Sequence, residues 1–302
     1  MKVVSGATNK SSDLHSDSKN AGFVLVSVIW IAGLLAVVAT AFAITVRSHT
    51  LAGSNIIYNT RAESVADGMA LVTALRLANP ANPDMPLKLN GETATCKWSD
   101  EIAVAISVQD QGGLVDLNTA SSALLDTLLR GLGADGAKSA EIVAALQDFR
   151  DPDSQSASSG FEPAVFPGKT YGPKNAPLDV SEEIDQIPEL DDALFHKLMP
   201  FVTVYSQQTG IDLSFAPQKL LDLLGARNHA SENALRFASP SPAKTFGIDV
   251  IAELKNGSRY RRQALISLLH QPDRPFAILA WRRGGDTSET PPLPVSGPAC
   301  FN

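Results

Sequence analysis

Asp151, Asp153 and Glu162 are the residues whose types and spacing come nearest to a binding chemistry. They fill positions one, three and twelve of a Ser- and Gly-rich stretch. Hard carboxylate oxygens gathered there can take calcium, because the cation offsets their mutual repulsion and the entropy of ordering the chain. The sixth position is Ser156, where an EF-hand loop requires Gly, so the stretch is not that loop. Helix capping with solvated acids fits the same spacing equally well. Other chemistry has little support. His15, His49, His196, His229 and His270 lack ligand spacing, and Cys96 and Cys300 form no C-x-x-C pair, which argues against zinc. No G-x-S-x-G, Walker or H-E-x-x-H pattern occurs. No catalytic residue is expected, and the chain reads as a non-enzyme.

The elements that must position such residues begin with an unbroken apolar run. Residues 23–46 carry no charge and only Ser27, Thr40 and Thr45 as hydroxyl residues. At about 1.5 Å per helical residue the run crosses a hydrocarbon core of roughly 30 Å. A secretory signal would show a shorter apolar stretch and a small-residue site beyond it. Here the small residue, Gly22, precedes the run, behind a polar leader with Lys2, Lys10 and Lys19. Gly22-Phe23 resembles the processing site of type IV prepilins and pseudopilins, where a membrane peptidase cuts after the Gly; a plain anchor helix is the alternative. Asp13 and Asp17 offset the leader lysines, and Arg47 and Arg61 follow the run, so charge favours a cytoplasmic N-terminus only slightly.

The helical pattern continues through Ala62, Val65, Ala66, Met69, Val72 and Leu75 until Asn79-Pro80, predicting one helix of about 80 Å over residues 23–78. Ile102, Val104, Ile106 and Val108 alternate as in a half-buried strand. So do Ile248, Val250, Ala252 and Leu254; Asn256-Gly257 then turns a hairpin into residues 260–269, and residues 276–281 make a further strand. A largely helical stretch from Gln111 to about Lys244 splits this sheet. It contains a repeat: Val115-Asp116-Leu117-Asn118-Thr119-Ala120-Ser121 with Leu124-Leu125-Asp126 matches Ile211-Asp212-Leu213-Ser214-Phe215-Ala216-Pro217 with Leu220-Leu221-Asp222. Asn118 and Ser214 are expected to begin helices, with Pro217 early in the second. The helical pattern is expected to resume over residues 180–204.

The expected fold class is α+β: an N-terminal transmembrane spine helix and a pilin-like antiparallel sheet with a large inserted all-helical domain of two related units, SAM-like or helix-hairpin-helix-like. Its expected divisions are 1–22, leader; 23–78, spine; 79–110 and 246–283, sheet; 111–205 and 206–245, the two helical units; 284–302, a flexible tail. Composition supports a folded body behind one anchor, at 44% hydrophobic and 19% charged residues. Net charge is −7, and the leader's three lysines and two aspartates leave −8 on the remainder. Such a body argues against holding nucleic acid by phosphate neutralisation.

Gly131-Leu132-Gly133 resembles a helix-hairpin-helix turn, which would make the chain a membrane-anchored, competence-type DNA-binding protein. The acids Asp126, Asp135, Glu141 and Asp148 around it favour a plain turn between packed helices. Lys255, Arg259, Arg261, Arg262, Arg274, Arg282 and Arg283 crowd the C-terminal strands, either as a solvated face or as a docking surface for an acidic neighbour. Cys96 and Cys300 could pair in an oxidising compartment, although Cys300 sits in the Pro-rich tail.

Taken in order, Gly22-Phe23, Asp116-Leu117-Asn118-Thr119-Ala120, Phe149-Arg150-Asp151-Pro152-Asp153, Tyr171-Gly172-Pro173-Lys174-Asn175-Ala176-Pro177, Thr203-Val204-Tyr205 and the repeat at Asp212 resemble the type II secretion system minor pseudopilin K family. That resemblance implies a place at the tip of a periplasmic pseudopilus, where the protein helps to initiate and cap assembly for export of folded proteins. It implies a single-pass inner-membrane protein with a cytoplasmic N-terminus and a periplasmic body. The implied partners are other minor pseudopilins, the major pseudopilin, the prepilin peptidase and the inner-membrane assembly platform, with no nucleic acid. It also implies calcium at Asp151, Asp153 and Glu162. Most pilins carry Glu where Ser27 stands, to neutralise a neighbour's N-terminal amine inside an apolar bundle. A subunit at the tip has no such amine to meet.

Overall fold

The computed structural model describes residues 18–79, 87–152, 165, 166, 168–227, 231–269, 271, 273–285, 292, 293 and 298–300. Helix α1, Ser18–Ala78, is its longest element and changes character along its length. The chain divides into two compact units, the first reaching Ile57 and the second starting at Tyr58. In the first unit the helix is long and apolar enough to cross a membrane. Ser27, Thr40 and Thr45 each donate to the carbonyl four residues back, at 2.9, 2.7 and 2.9 Å. No hydroxyl of the run therefore needs an outside partner, as a lipid environment requires.

In the second unit α1 buries Ala62, Ala66, Met69, Ala70, Thr73 and Ala74. The expected stripe had included Leu75, which is 51% exposed. Burial has rotated toward the alanines because a small side chain lets the helix backbone approach a sheet closely, where Leu would hold it away. The facing sheet contains β1 (Asn90–Ser99), β2 (Ile102–Asp110), β5 (Thr245–Leu254), β6 (Arg259–Leu268) and β7 (Phe276–Arg283), antiparallel throughout in the order β1-β2-β5-β6-β7. Val104, Ile106, Val108, Ile248, Val250 and Ile266 meet the α1 alanines in one core. Gly257, at φ 85°, closes the β5–β6 hairpin in the left-handed conformation that the turn requires.

Between β2 and β5 lie β3 (Val115–Asp116), α2 (Ser122–Gly131), α3 (Gly136–Arg150), α4 (Asp192–Leu198), β4 (Val202–Thr203), α5 (Gln218–Leu223) and α6 (Glu232–Phe237). β2 and β5 pair directly, from Ile102↔Leu254 to Asp110↔Phe246, so the helical body leaves and returns at adjoining strand ends. It has its own core, with Leu117, Leu124, Leu128, Ile142, Phe149 and Leu220 among the buried residues.

Three local expectations are corrected. Residues 180–204 are not one helix: only α4 is α-helical, flanked by 3-10 turns at Ser181–Gln186 and Met199–Phe201, and β4 then pairs in parallel with β3. Pro188 and Pro200 punctuate that stretch, and proline removes a helical donor and clashes with the preceding turn. Helix α2 begins after Ser121, whose Oγ accepts from Leu124 N, and not after Asn118. Asn118 instead exchanges two hydrogen bonds with the Leu178 backbone, at 2.9 and 2.8 Å. Helix α5 begins after Pro217 without a side-chain cap, while the Ser214 amide donates to Asp212.

The tail expected to be flexible is tied down where it is described. Cys300 is disulfide-bonded to Cys96 on β1. Pro298 and Cys300 exchange backbone hydrogen bonds with Lys97, at 2.8 and 3.1 Å. The Leu293 amide donates to Glu253 on β5 at 2.7 Å, and the Gly284 amide donates to Arg261 O at 2.9 Å. A Cβ at Gly284 would stand 2.4 Å from the Arg261 side chain, which explains glycine there.

Candidate functional site

The helical body is organised by two buried or half-buried aspartates at equivalent points of the repeat. Asp116 is fully buried; its Oδ1 accepts from the Asn118 and Thr119 amides at 2.8 and 3.1 Å. Its Oδ2 accepts from Ser206 Oγ and the Gln207 amide, at 3.1 and 2.8 Å. Asp212 repeats the pattern more sparsely, with Oδ1 accepting from Ser214 N at 2.9 Å and Oδ2 from Ser241 N at 2.7 Å. In each case one oxygen shapes the turn before a helix, and the other holds a segment distant in sequence. Neither aspartate was singled out as a functional residue, although the repeat marks both.

Asp110 stands where the chain enters the body. Its Oδ1 accepts from Gly112 N and Ser241 Oγ, both at 2.8 Å. Burial pushes this carboxyl up from the usual range against the pull of those two bonds, and Asp212 adds to the rise. A cavity of about 300 Å³ adjoins it, lined also by Tyr205, Ser206 and Lys244.

Of the proposed calcium ligands, Asp151 is the residue that caps the C-terminal end of α3, its amide donating to Gln147 O at 3.1 Å. Asp153 and Glu162 lie outside the described residues. Among the described residues no group of three His, Cys, Asp or Glu side chains is placed to hold a metal ion. The Arg150 guanidinium, one residue earlier, bonds the Leu117 carbonyl; its burial pulls its pKa down while Asp116 and Asp151 push it back.

The Gly131-Leu132-Gly133 turn is accounted for by packing. A Cβ on Gly131 would come within 2.6 Å of the Leu223 carbonyl oxygen, so glycine lets α2 approach α5; Gly133 takes φ 106°. The amides of Leu132, Gly133 and Ala134 donate to carbonyls of Leu128, Leu129 and Arg130, and the Lys138 amide donates to Asp135. The backbone donors that a phosphate would need are already engaged.

Four arginines of the C-terminal strands, Arg259, Arg261, Arg262 and Arg282, are held by carboxylates. Arg261 grips Asp249 through Nε at 2.9 and 3.0 Å, and Arg259 meets Glu253 at 2.8 Å. Arg282 reaches Glu182 of the helical body at 2.7 Å. Arg262, 7% exposed, bonds Asp67 and Glu63 of α1 at 2.5 and 3.3 Å, with Trp281 and Tyr260 rings 5.0 and 5.1 Å away. At the anchor, Gly22 and Phe23 lie within α1, and Ser27 spends its hydroxyl on the Phe23 carbonyl.

Residues 105–207 match the family model described as "Type II secretion system (T2SS), protein K". Type II secretion system protein K of Klebsiella pneumoniae is 33% identical over 86 residues, which cover 27% of this chain and 26% of that protein. The aligned stretch thus spans about a quarter of that relative's length. Among solved structures, a chain of the GspK-GspI-GspJ complex from the enterotoxigenic Escherichia coli Type 2 Secretion System matches with a TM-score of 0.53 at 18% identity, covering 80% of this chain and 99% of that chain. At that identity the likeness is one of fold. The likeness is to type II secretion system proteins, and the N-terminal helix of this chain is long and apolar enough to cross a membrane. Residues 105–207 carry the likeness to the protein K family, and the ordered motifs at Asp116, Phe149, Tyr171 and Thr203 lie inside that stretch.

Proposed function

We propose that this protein is a minor pseudopilin at the tip of a type II secretion pseudopilus, where it helps to initiate and cap assembly for export of folded proteins. The observation that carries the reading is the match of residues 105–207 to the protein K family model, beginning in β2 of a sheet packed on the same helix that begins as an apolar membrane-length segment. The pilin-like core supplies a spine for insertion among neighbouring spines. The inserted helical body would obstruct a further subunit above it. Ser27 supports a terminal position, because its hydroxyl is bonded within its own helix and cannot neutralise an amine. The membrane topology follows: N-terminus in the cytoplasm, one span of the inner membrane, and the body in the periplasm, where the Cys96–Cys300 bond would persist. Its partners are the other minor pseudopilins, of the kind named in the GspK-GspI-GspJ complex, together with the major pseudopilin, the assembly platform and the prepilin peptidase.

Processing gives the first test. Co-expressed with a prepilin peptidase, the chain is expected to acquire Phe23 as its N-terminus, and Gly22→Val is expected to retain residues 1–22. Mass spectrometry of the purified protein reads both, and wild-type protein that keeps the leader would count against the proposal. Crosslinking in membranes, with identification of the captured neighbours, tests the assembly role.

Calcium is proposed at Asp151, Asp153 and Glu162, whose oxygen-donor chemistry suits a hard cation. The ion would supply a charge centre that orders this loop beside the helix end capped by Asp151. With calcium at about 100 times its Kd, linkage contributes about 2.7 kcal/mol, or roughly 5–10 °C in Tm. A chelator is expected to remove that increment from the full chain in detergent and to leave Asp151→Ala unaffected. Identical melting curves with and without chelator would remove calcium from the account.

A further inference from the structure

We propose that the groove between the helical body and the outer face of the sheet, beside Phe201 and Leu223, docks an acidic segment of a partner protein that carries an apolar anchor residue. The groove encloses about 820 Å³. Leu132, Leu223, Phe201 and Pro200 supply its apolar part, and Lys197 and Lys219 its charge. Both lysines are exposed, and among the described residues neither meets a carboxylate; Lys219 Nζ lies 5.8 Å from the Phe201 ring centroid. His196 adjoins them, with Nδ1 3.3 Å from Asp192. The carboxylate on the sheet wall, Asp249, is already gripped by Arg261 and Gln263.

The groove is therefore a cationic concavity on a chain of net charge −7, in which Lys174, Arg227, Arg259 and Arg262 are each held by a carboxylate. Its complement is a negatively charged segment, because opposing potentials guide encounter and fix register. The apolar floor adds a second requirement. A Leu or Phe side chain fills it, and a bare polyanion does not. Nucleic acid suits the place less well, since the amides of the adjoining Gly131-Leu132-Gly133 turn are engaged and the neighbouring helices carry Asp126, Asp135 and Glu141. The inference goes beyond the secretion reading and does not depend on it.

The probe is a random dodecapeptide phage library, selected on the full chain in detergent micelles after removal of micelle binders. Enriched peptides are synthesised and measured by fluorescence anisotropy. Enrichment of Asp and Glu around a Leu or Phe is expected. Affinity is expected to fall on the order of tenfold in the Lys197→Glu, Lys219→Glu double variant, whose melting curve should match wild type because both side chains are exposed. Selection without acidic enrichment overturns the proposal, as do acidic binders indifferent to the double variant. A DNA duplex of about 20 base pairs that binds more tightly than every selected peptide, and is lost in the double variant, overturns it in favour of a phosphate site.

Discussion

Asp116→Ala is expected to lower the stability of the body by about 3–5 kcal/mol. The side chain is fully buried and accepts four hydrogen bonds, from the Asn118 and Thr119 amides, Ser206 Oγ and the Gln207 amide. Alanine leaves the buried Ser206 hydroxyl and three part-buried amides without their acceptor, and an unsatisfied buried donor costs about 1–3 kcal/mol. The substitution also withdraws the carboxylate whose field supports the partly buried Arg150 guanidinium. Asp212→Ala, at the equivalent point of the repeat, removes two bonds from a half-buried residue and should cost only about 1–2 kcal/mol. Asp116→Asn keeps acceptance from Asn118 and Thr119 while turning an amide donor toward Gln207 and Ser206, and should fall between them. Denaturant midpoints of the three variants, followed by near-ultraviolet circular dichroism of the full chain in detergent, give the order directly. Equal midpoints for Asp116→Ala and Asp212→Ala would mean that the buried bonds are replaced by water.

The sequence is legible where a segment's burial is one-sided and periodic. β5 alternates buried and half-buried positions, and the inward sets Val104, Ile106, Val108 and Ile248, Val250, Ala252 are the ones that meet α1, while on β2 the intervening Ala103 and Ala105 are buried as well. The apolar run of α1 is legible for a different reason, since its length and lack of charge are local properties that need no remote partner. β1 was not foreseen because Asn-Gly-Glu-Thr-Ala-Thr-Cys-Lys-Trp-Ser has no apolar face, and an edge strand with exposed side chains needs none. The stretch 180–204 misled in the opposite way. Ile184, Ile187, Leu190, Leu194 and Leu198 recur at spacings of three and four and are all buried, yet the backbone between them is broken. Side-chain periodicity reports which residues face the core, and the prolines decide whether one helix carries them.

Site residues were less legible because their partners are remote. Arg262 needs Glu63 and Asp67, separated by 199 and 195 residues; Asp116 needs Ser206, 90 residues away. The family motifs marked Asp116 and Asp151 as members of recurrent strings, without saying that the first is a buried acceptor and the second a helix cap. Of the basic strands, Arg259 and Arg261 find their acids on β5, Arg262 on α1 and Arg282 on the helical body.

Removing the disulfide is expected to cost about 2–4 kcal/mol, reaching toward 5 kcal/mol if the closed loop is unstrained. Cys96 and Cys300 are separated by 204 residues, so the bond closes nearly the whole second unit and constrains its unfolded ensemble more than a short loop could. A native-state contribution adds to this. Cys300 is 7% exposed and belongs to the core of the sheet, and residues 298–300 bond Lys97 on the outer side of β1. Without the crosslink, two backbone bonds and one buried sulfur must hold the chain end against its own freedom, which is too little to keep it docked. The Cys96→Ser, Cys300→Ser variant should therefore melt lower than oxidised wild type, and a reductant should bring wild type down to it without moving the variant. Amide exchange separates the two contributions: faster exchange at Lys97 with an unchanged global midpoint would mean that only the local docking depends on the bond. A fall in both means that the crosslink governs the unfolded chain. In that case the proposed topology acquires a direction in time. A body held in a reducing cytoplasm lacks several kilocalories per mole that it gains only on reaching an oxidising compartment.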